Sequence, residues 1–117
     1  MKVINALNTE QYDEIDNLSC IDYWRRHHPG GDDRHCRACG CEVGEQNPIV
    51  GAHVMDVSII DPHVYIVPLC KNCNDRRADL PAFDTLQANL ARVPAEMEQA
   101  ILSDPENGLH ISRGMMQ

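Results

Sequence analysis

Six cysteines and six histidines stand in this chain of 117 residues, and the cysteine spacing points first to metal chemistry. Cys36-Arg37-Ala38-Cys39 and Cys70-Lys71-Asn72-Cys73 are two Cys-x-x-Cys pairs about thirty residues apart, the spacing of a tetrahedral zinc site. Each pair puts two sulfurs on one tight turn, so both reach one ion without strain. Gly40 follows the first pair, where a zinc knuckle tends to need a left-handed residue and turns its backbone N–H groups toward the thiolates. Two disulfides, or four buried free thiols, are the competing readings of the same pairs. No secretory signal opens the sequence, so a cytoplasmic, reducing compartment is expected, and there such pairs bind metal more often than they oxidise. Cys36, Cys39, Cys70 and Cys73 are the economical ligand set; Cys41 and His53 are the alternatives for one position in it.

Zinc with four cysteine ligands has no open position, so it holds structure and activates no water. Any catalysis then falls to side chains beside it. His53, within Gly51-Ala52-His53-Val54, is the candidate, because an imidazole titrating near neutrality can take a proton from water. Lys71, Arg76 and Arg77 surround the second cysteine pair, while Arg25, Arg26, His27, His28, Arg34, His35 and Arg37 form a second basic stretch. These segments are candidate contacts for a phosphate backbone, or else solvated faces with local ion pairs. The whole chain is acidic, with a formal charge of −8 and a pI near 5.0. Four thiolates around one Zn²⁺ add a further charge of roughly −2. Such a balance does not suit a protein whose affinity comes from neutralising phosphates, unless charge is segregated by face.

The elements that must position these groups read as one α+β domain over residues 1–117. Hydrophobic residues make up 43% and aromatics only 4%, enough for a modest core that a structural zinc would supplement. No apolar run approaches a bilayer span, which predicts a soluble chain without membrane contact. Residues 1–31 are expected to form an N-terminal helical segment. Within it, 1–7 is an extended or frayed lead-in. Asn8 or Thr9 caps a helix over 10–17 that buries Tyr12, Ile15 and Leu18, and Ser19 with Asp22 opens a second helix over 20–28. Pro29-Gly30-Gly31 stops that helix. Cys20 reads as a small core residue.

Residues 32–80 carry the zinc core. It comprises the knuckle, a strand over 49–55, a loop over 56–63, a partner strand over 64–67, and a helix from Cys70 to about Leu80 ended by Pro81. Knuckle, hairpin and helix around one zinc make a treble clef. Residues 81–105 read as two C-terminal helices. Leu86, Leu90 and Val93 line one side of the first; Met97, Ala100 and Ile101 face inward on the second, which Asp104-Pro105 ends. A mobile tail is expected over 106–117.

The framing Cys-x-x-Cys-Gly over 36–40, Gly-Ala-His-Val over 51–54 and Tyr-Ile-Val-Pro-Leu-Cys-x-x-Cys-Asn over 65–74 resembles the HNH nuclease family. It is similar in particular to members that carry two Cys-x-x-Cys pairs around a structural zinc, and the likeness spans residues 36–78. The resemblance implies a ββα-metal site holding a second divalent ion, Mg²⁺ or another, on a scissile phosphate as Lewis acid. It also implies His53 as the base that activates water, Asn74 at a metal-ligand position, and Arg76 or Arg77 on phosphate. Two positions depart from the family pattern: Ala52 stands where an acidic metal ligand usually precedes the histidine, and Tyr65 stands where an asparagine orients the base. His63, Asp56 and Asp61 on the hairpin loop are candidates to compensate. Two readings follow. The first is a non-catalytic binding module on a nuclease scaffold, its partner either nucleic acid through the basic segments or a nucleic-acid-binding protein through the acidic faces. The second is an active metal-dependent endonuclease. Ala52 and the net charge favour the first; the kept His53 and the basic residues after Asn74 favour the second.

Overall fold

Strict alternation along two strands sets the architecture. The computed structural model describes residues 1–58 and 60–116. In chain order its elements are β1 (Lys2–Asn5), β2 (Glu14–Ile15), β3 (Leu18–Ser19), α1 (Cys20–His27), β4 (Ile49–Asp56), β5 (Val64–Cys70), α2 (Lys71–Asp75), β6 (Phe83–Asp84), β7 (Ala91–Arg92), α3 (Ala95–Leu102) and α4 (Pro105–Met115). Single 3₁₀ turns lie at Glu10–Tyr12 and Gln87–Asn89. The principal sheet has the order β6-β1-β4-β5-β7, with every pairing antiparallel, and the β4–β5 hairpin opposes His53 to Ile66 and Ala52 to Val67. Successive side chains point to opposite faces, so the hairpin feeds two separate cores. Ile4, Met55, Val64 and Ile66 pack with Tyr23, Trp24, Ile101 and Ile111 under α1, α3 and α4. Val3, Ala52, Val54, Tyr65, Val67 and Leu69 pack on the other face with Cys36, Cys70 and Cys73.

Helix α1 sits on the hairpin through a close backbone approach. A Cβ built on Gly51 of β4 meets the Cys20 carbonyl carbon at 2.4 Å and the Ile21 nitrogen at 2.5 Å, so only a residue without a side chain lets the helix start there. The Ser19 hydroxyl accepts from the Asp22 N–H at 3.3 Å and caps the helix, as the sequence predicts. Its C-terminal end is stitched to the approach to β7. The Tyr23 hydroxyl donates to the Arg92 carbonyl (2.6 Å), the Trp24 indole to the Asn89 carbonyl (2.7 Å), and His28 Nε2 lies 3.0 Å from the Leu90 carbonyl.

Several sequence expectations are corrected here. Of the two alternatives for residues 1–7, extended or frayed, the extended one holds: β1 lies inside the sheet, between β6 and β4. No helix forms over 10–17, because Asp16 and Asn17 both take positive φ (54° and 64°) and make the two-residue turn of the β2–β3 hairpin. The helix after Cys70 spans only Lys71–Asp75 rather than reaching Leu80. The stretch from Asp84 to Val93 is two short strands and a 3₁₀ turn, with Leu86 71% exposed. Sheet pairing of Ala91 and Arg92 with Ile66 and Tyr65, and the hydrogen bonds from α1, override its helical periodicity. Ala100 is exposed on α3 while Ile101 is buried. The expected tail is mostly α4, with Asn107, His110, Ile111 and Gly114 buried; Gln117 lies outside the described residues.

Candidate metal centre and the histidine cleft

Three separate elements bring the cysteines together. Cys36 and Cys39 sit on a turn closed by hydrogen bonds from Gly40 N–H to the Cys36 carbonyl (2.8 Å) and from Cys36 N–H to the Cys41 carbonyl (3.0 Å). Gly40 takes φ +77°, the left-handed residue expected after the pair. Cys70 ends β5 and caps α2, its sulfur accepting from the Cys73 N–H at 3.5 Å; Cys36 accepts from Cys39 N–H at the same distance. The two turns are held edge to edge by the Arg37 N–H bond to the Pro68 carbonyl (3.1 Å).

The sulfurs of Cys36, Cys39, Cys70 and Cys73 all lie within 4.8 Å of one another, and Cys39 Sγ is 3.9 Å from Cys70 Sγ. Four sulfurs bound to one ion at Zn–S distances stand about 3.8 Å apart at the corners of a tetrahedron. The geometry therefore fits, and an all-thiol tetrahedron is the donor set of zinc or of an iron–sulfur centre. The six cysteines are free thiols rather than disulfides. Cys39 is the exposed member of the quartet; the other three are buried. A metal bound there would tie the knuckle to the hairpin and to α2, and the backbone N–H groups of both turns already face the sulfurs it would hold as thiolates. His53 stands apart from this cluster and is no fourth ligand.

On the opposite side of the hairpin His53 lines a cleft of about 360 Å³ together with Asn74 and Arg77. The structure thus brings together three of the residues singled out from the sequence. Lys71, Arg76, Arg37, His63, Asp56 and Asp61 are absent from the lining, and so is Tyr65, which packs on the cysteine side of the sheet. Ala52 points the same way as Tyr65 and is 1% exposed. Val50 and Gly51 of β4 complete the hairpin wall, and the remaining cleft residues come from the N-terminal segment and α1: Thr9, Glu10, Asp13, Ser19, Cys20 and Ile21. Sequence reasoning missed them, since a separation of more than thirty residues leaves no local signal.

His53 is 7% exposed, and its Nε2 lies 3.9 Å from the Cys20 sulfur. Burial, reinforced by the Arg77 guanidinium, pushes the imidazole down to about 4. It is neutral at physiological pH and a weak base there. Burial together with the Asp13 charge pushes the Cys20 thiol up to about 11, so this thiol is not a nucleophile. Among the described residues, the four cysteines are the group of at least three Cys, His, Asp or Glu donors that converges as a metal site; the cleft does not assemble one.

Most cations of the basic segments are ion-paired rather than free; the exceptions are Arg34, which makes no side-chain ion pair among the described residues, and Arg26, which lies 4.0 Å from Asp16. Arg77 pairs with Glu10 at 2.7 Å, Lys71 with Asp75 at 2.6 Å and Arg76 with Asp79 at 3.5 Å. Arg37 donates to the Asp32 carbonyl at 2.9 Å and lies 3.9 Å from its carboxylate. Arg25 bonds Asp22 and Asp33, each at 2.8 Å, and Asp32 also holds His35 at 3.1 Å. The acids that neutralise these cations are within a few residues of most of them, the exception being Glu10. Among the described residues no helix is long and apolar enough to cross a membrane. Compared with family models, with curated proteins and with solved structures, the chain matches none.

Proposed function

We propose that this chain is a zinc-held, non-catalytic binding module on an HNH-like treble-clef layout, and that its partner is a protein with a basic, nucleic-acid-binding surface. The observation that carries the first half is the state of the cleft. Its base candidate is buried and weakly basic, and among the described residues no group of three or more His, Cys, Asp or Glu donors converges there to seat a second divalent ion. A hard cation such as Mg²⁺ needs convergent oxygen ligands; Ala52 supplies none, and the cleft carboxylates Glu10 and Asp13 do not converge with His53 into a metal site among the described residues. The zinc, once bound by Cys36, Cys39, Cys70 and Cys73, supplies structural cross-linking only. The charge pattern supports the second half. Acidic side chains already pair with Lys71, Arg76, Arg77 and Arg37, while the chain keeps a net charge of −8. Such a surface steers toward cations and away from phosphates.

The test uses the purified chain, plasmid DNA, and Mg²⁺, Mn²⁺ or Ni²⁺ in turn, beside elemental analysis. The expected result is bound zinc, no nicking with any of the three ions, and no salt-sensitive retention on DNA. Cleavage that disappears in His53→Ala makes the chain an endonuclease instead. Retention on DNA that weakens steeply with salt redirects the partner to nucleic acid.

A further inference from the structure

The His53 cleft holds polar groups that the fold leaves unused. Arg77 and Glu10 line it and pair with each other at 2.7 Å. Asp13 lines it too and has no ion-pair partner among the described residues, so the lining keeps one uncompensated negative charge. Glu14 and Asp16 follow on the β2–β3 hairpin, both exposed, and extend the acidity of this segment. Thr9 is 3% exposed, yet its hydroxyl makes no hydrogen bond among the described residues. The Nε2 of His53, on the opposite strand wall, meets the Cys20 sulfur at 3.9 Å and no oxygen. The Asn74 side-chain amide on α2 is likewise without a partner among the described residues. Polar groups held away from water and left unpaired cost free energy, which a ligand supplying the missing partners recovers.

The sign and the spread of these groups select the ligand. The free carboxylate calls for a cation. Its neighbours do not converge on one point as a metal ion would require; they stand on three separate elements, the turn after Thr9, β4 and α2. A guanidinium fans five N–H donors over a plane and so reaches dispersed acceptors, whereas an ammonium is a compact point charge. Ile21 and Val50 give the cleft an apolar wall, against which the stem of a long cationic side chain packs. A volume of about 360 Å³ lies at the small end of ligand pockets, room for one side chain rather than for a stretch of chain.

We propose that the His53 cleft is the socket for one arginine side chain of the partner, with its guanidinium on Asp13, Asn74 and Thr9 and its stem against Ile21 and Val50. This rests on the binding-module reading above and names the point at which a basic partner is anchored. Arginines seated in pockets are among the side chains that dominate interface energies. Glu10 gains a role in the same arrangement: by pairing with Arg77 it screens the incoming guanidinium from a like charge.

The experiment titrates the zinc-loaded chain at low salt and follows its backbone amide shifts. The titrants are the capped tripeptide glycine–arginine–glycine, its lysine counterpart, its uncharged citrulline counterpart, and inorganic phosphate. Saturable shifts are expected over residues 9–13, 51–53 and 74–77. The arginine peptide is expected to bind roughly tenfold more tightly than the citrulline one, the worth of a charge-assisted contact, and more tightly than the lysine one. Asp13→Asn, at an exposed position with no side-chain hydrogen bond to lose, is expected to melt like wild type and to bind arginine roughly fivefold more weakly. Glu96→Gln removes the same charge from α3, away from the cleft, and is expected to change nothing. Equal binding of arginine and citrulline, shifts scattered over the surface, or equal weakening by Glu96→Gln overturns the socket. Lysine bound as tightly as arginine overturns the guanidinium assignment. Cleft shifts with phosphate and none with arginine overturn both the socket and the binding-module reading beneath it. No binding of any titrant, by a chain that also leaves plasmid DNA intact, overturns the socket alone.

Discussion

Replacing Glu98 by glutamine tests whether one carboxylate locks α3 to the edge of the sheet. The Glu98 side chain is 8% exposed and gathers four donors: the Val64 N–H at 2.9 Å, Arg92 Nε at 3.1 Å, Arg92 Nη2 at 2.8 Å, and His63 Nδ1 at 3.2 Å. Burial pushes this carboxyl up, but the Arg92 fork, the Val64 N–H and His63 together outweigh it and bring it down to about 2. A shift from an ordinary 4.5 to about 2 corresponds at most to about 3 kcal/mol in favour of the folded state at neutral pH. Arg92 is 53% exposed, so solvent screens part of that attraction and about 2 kcal/mol is the better expectation. Glutamine keeps an acceptor for Val64 but turns an N–H₂ toward the guanidinium.

Urea melts of both proteins at pH 7 with excess zinc should therefore separate by about 2 kcal/mol, or by roughly 10 °C in Tm. The pH dependence follows from the sign of the shift. A carboxyl whose folded pKa is depressed stabilises above its unfolded value, and that contribution is lost as pH falls from about 4.5 toward 2. Acid also weakens thiolate–metal bonding, but both proteins share that loss, so the difference between them is the quantity to follow. It should narrow steadily below pH 4.5. A variant within about 0.5 kcal/mol of wild type at pH 7, the range of ordinary surface substitutions, would refute the lock. A gap that stays constant down to pH 3 would refute the electrostatic account of it.

Two further perturbations probe contacts that position the site. Asn107 on α4 is fully buried; its Oδ1 accepts from Leu7 N–H (2.7 Å) and its Nδ2 donates to the carbonyls of Leu7 (3.1 Å) and Ile101 (2.9 Å). Asn107→Ala should cost about 2–4 kcal/mol by stranding those backbone groups, and Asn107→Asp should do no better, since a carboxylate would face two carbonyls; hydrogen exchange along α4 would show the loss. Gly51→Ala should cost at least about 3 kcal/mol, because the new methyl meets the Cys20 and Ile21 backbone rather than a movable side chain; a thermal melt unchanged from wild type would mean that α1 does not rest on β4 as described.

The parts legible in the sequence were those fixed by local chemistry. The two Cys-x-x-Cys turns, the glycine after the first, the β4–β5 hairpin and the capped α1 all announce themselves within about ten residues, and all are present. The misread parts share one cause, a local signal with two meanings. Asp104-Pro105 does end α3, which stops at Leu102, yet the same residues also start α4 where a mobile tail is expected: Asp104 caps it by accepting the Glu106 N–H at 3.0 Å, and Pro105 stands in its first turn. Asp16-Asn17 sat inside an apparent helical period, yet both tolerate positive φ and the chain reverses there. Residues 84–93 carry helical spacing, but Tyr23, Trp24 and His28 take three of their carbonyls for hydrogen bonds from α1.

The cleft was half legible for the same reason. His53, Asn74 and Arg77 follow from the cysteine framing, because hairpin and helix hold them at fixed offsets from the second pair. Glu10 and Asp13 reach the cleft only because β1 enters the sheet beside β4 and the β2–β3 hairpin then folds back toward α1. That arrangement bears directly on function. In a site built to grip phosphate, the guanidinium next to the histidine would be left open to the ligand. Here Glu10 occupies Arg77 at 2.7 Å, from a segment 67 residues away in sequence. A carboxylate brought that far to cover a cation makes the cleft less attractive to an anion, in keeping with the non-catalytic role proposed above.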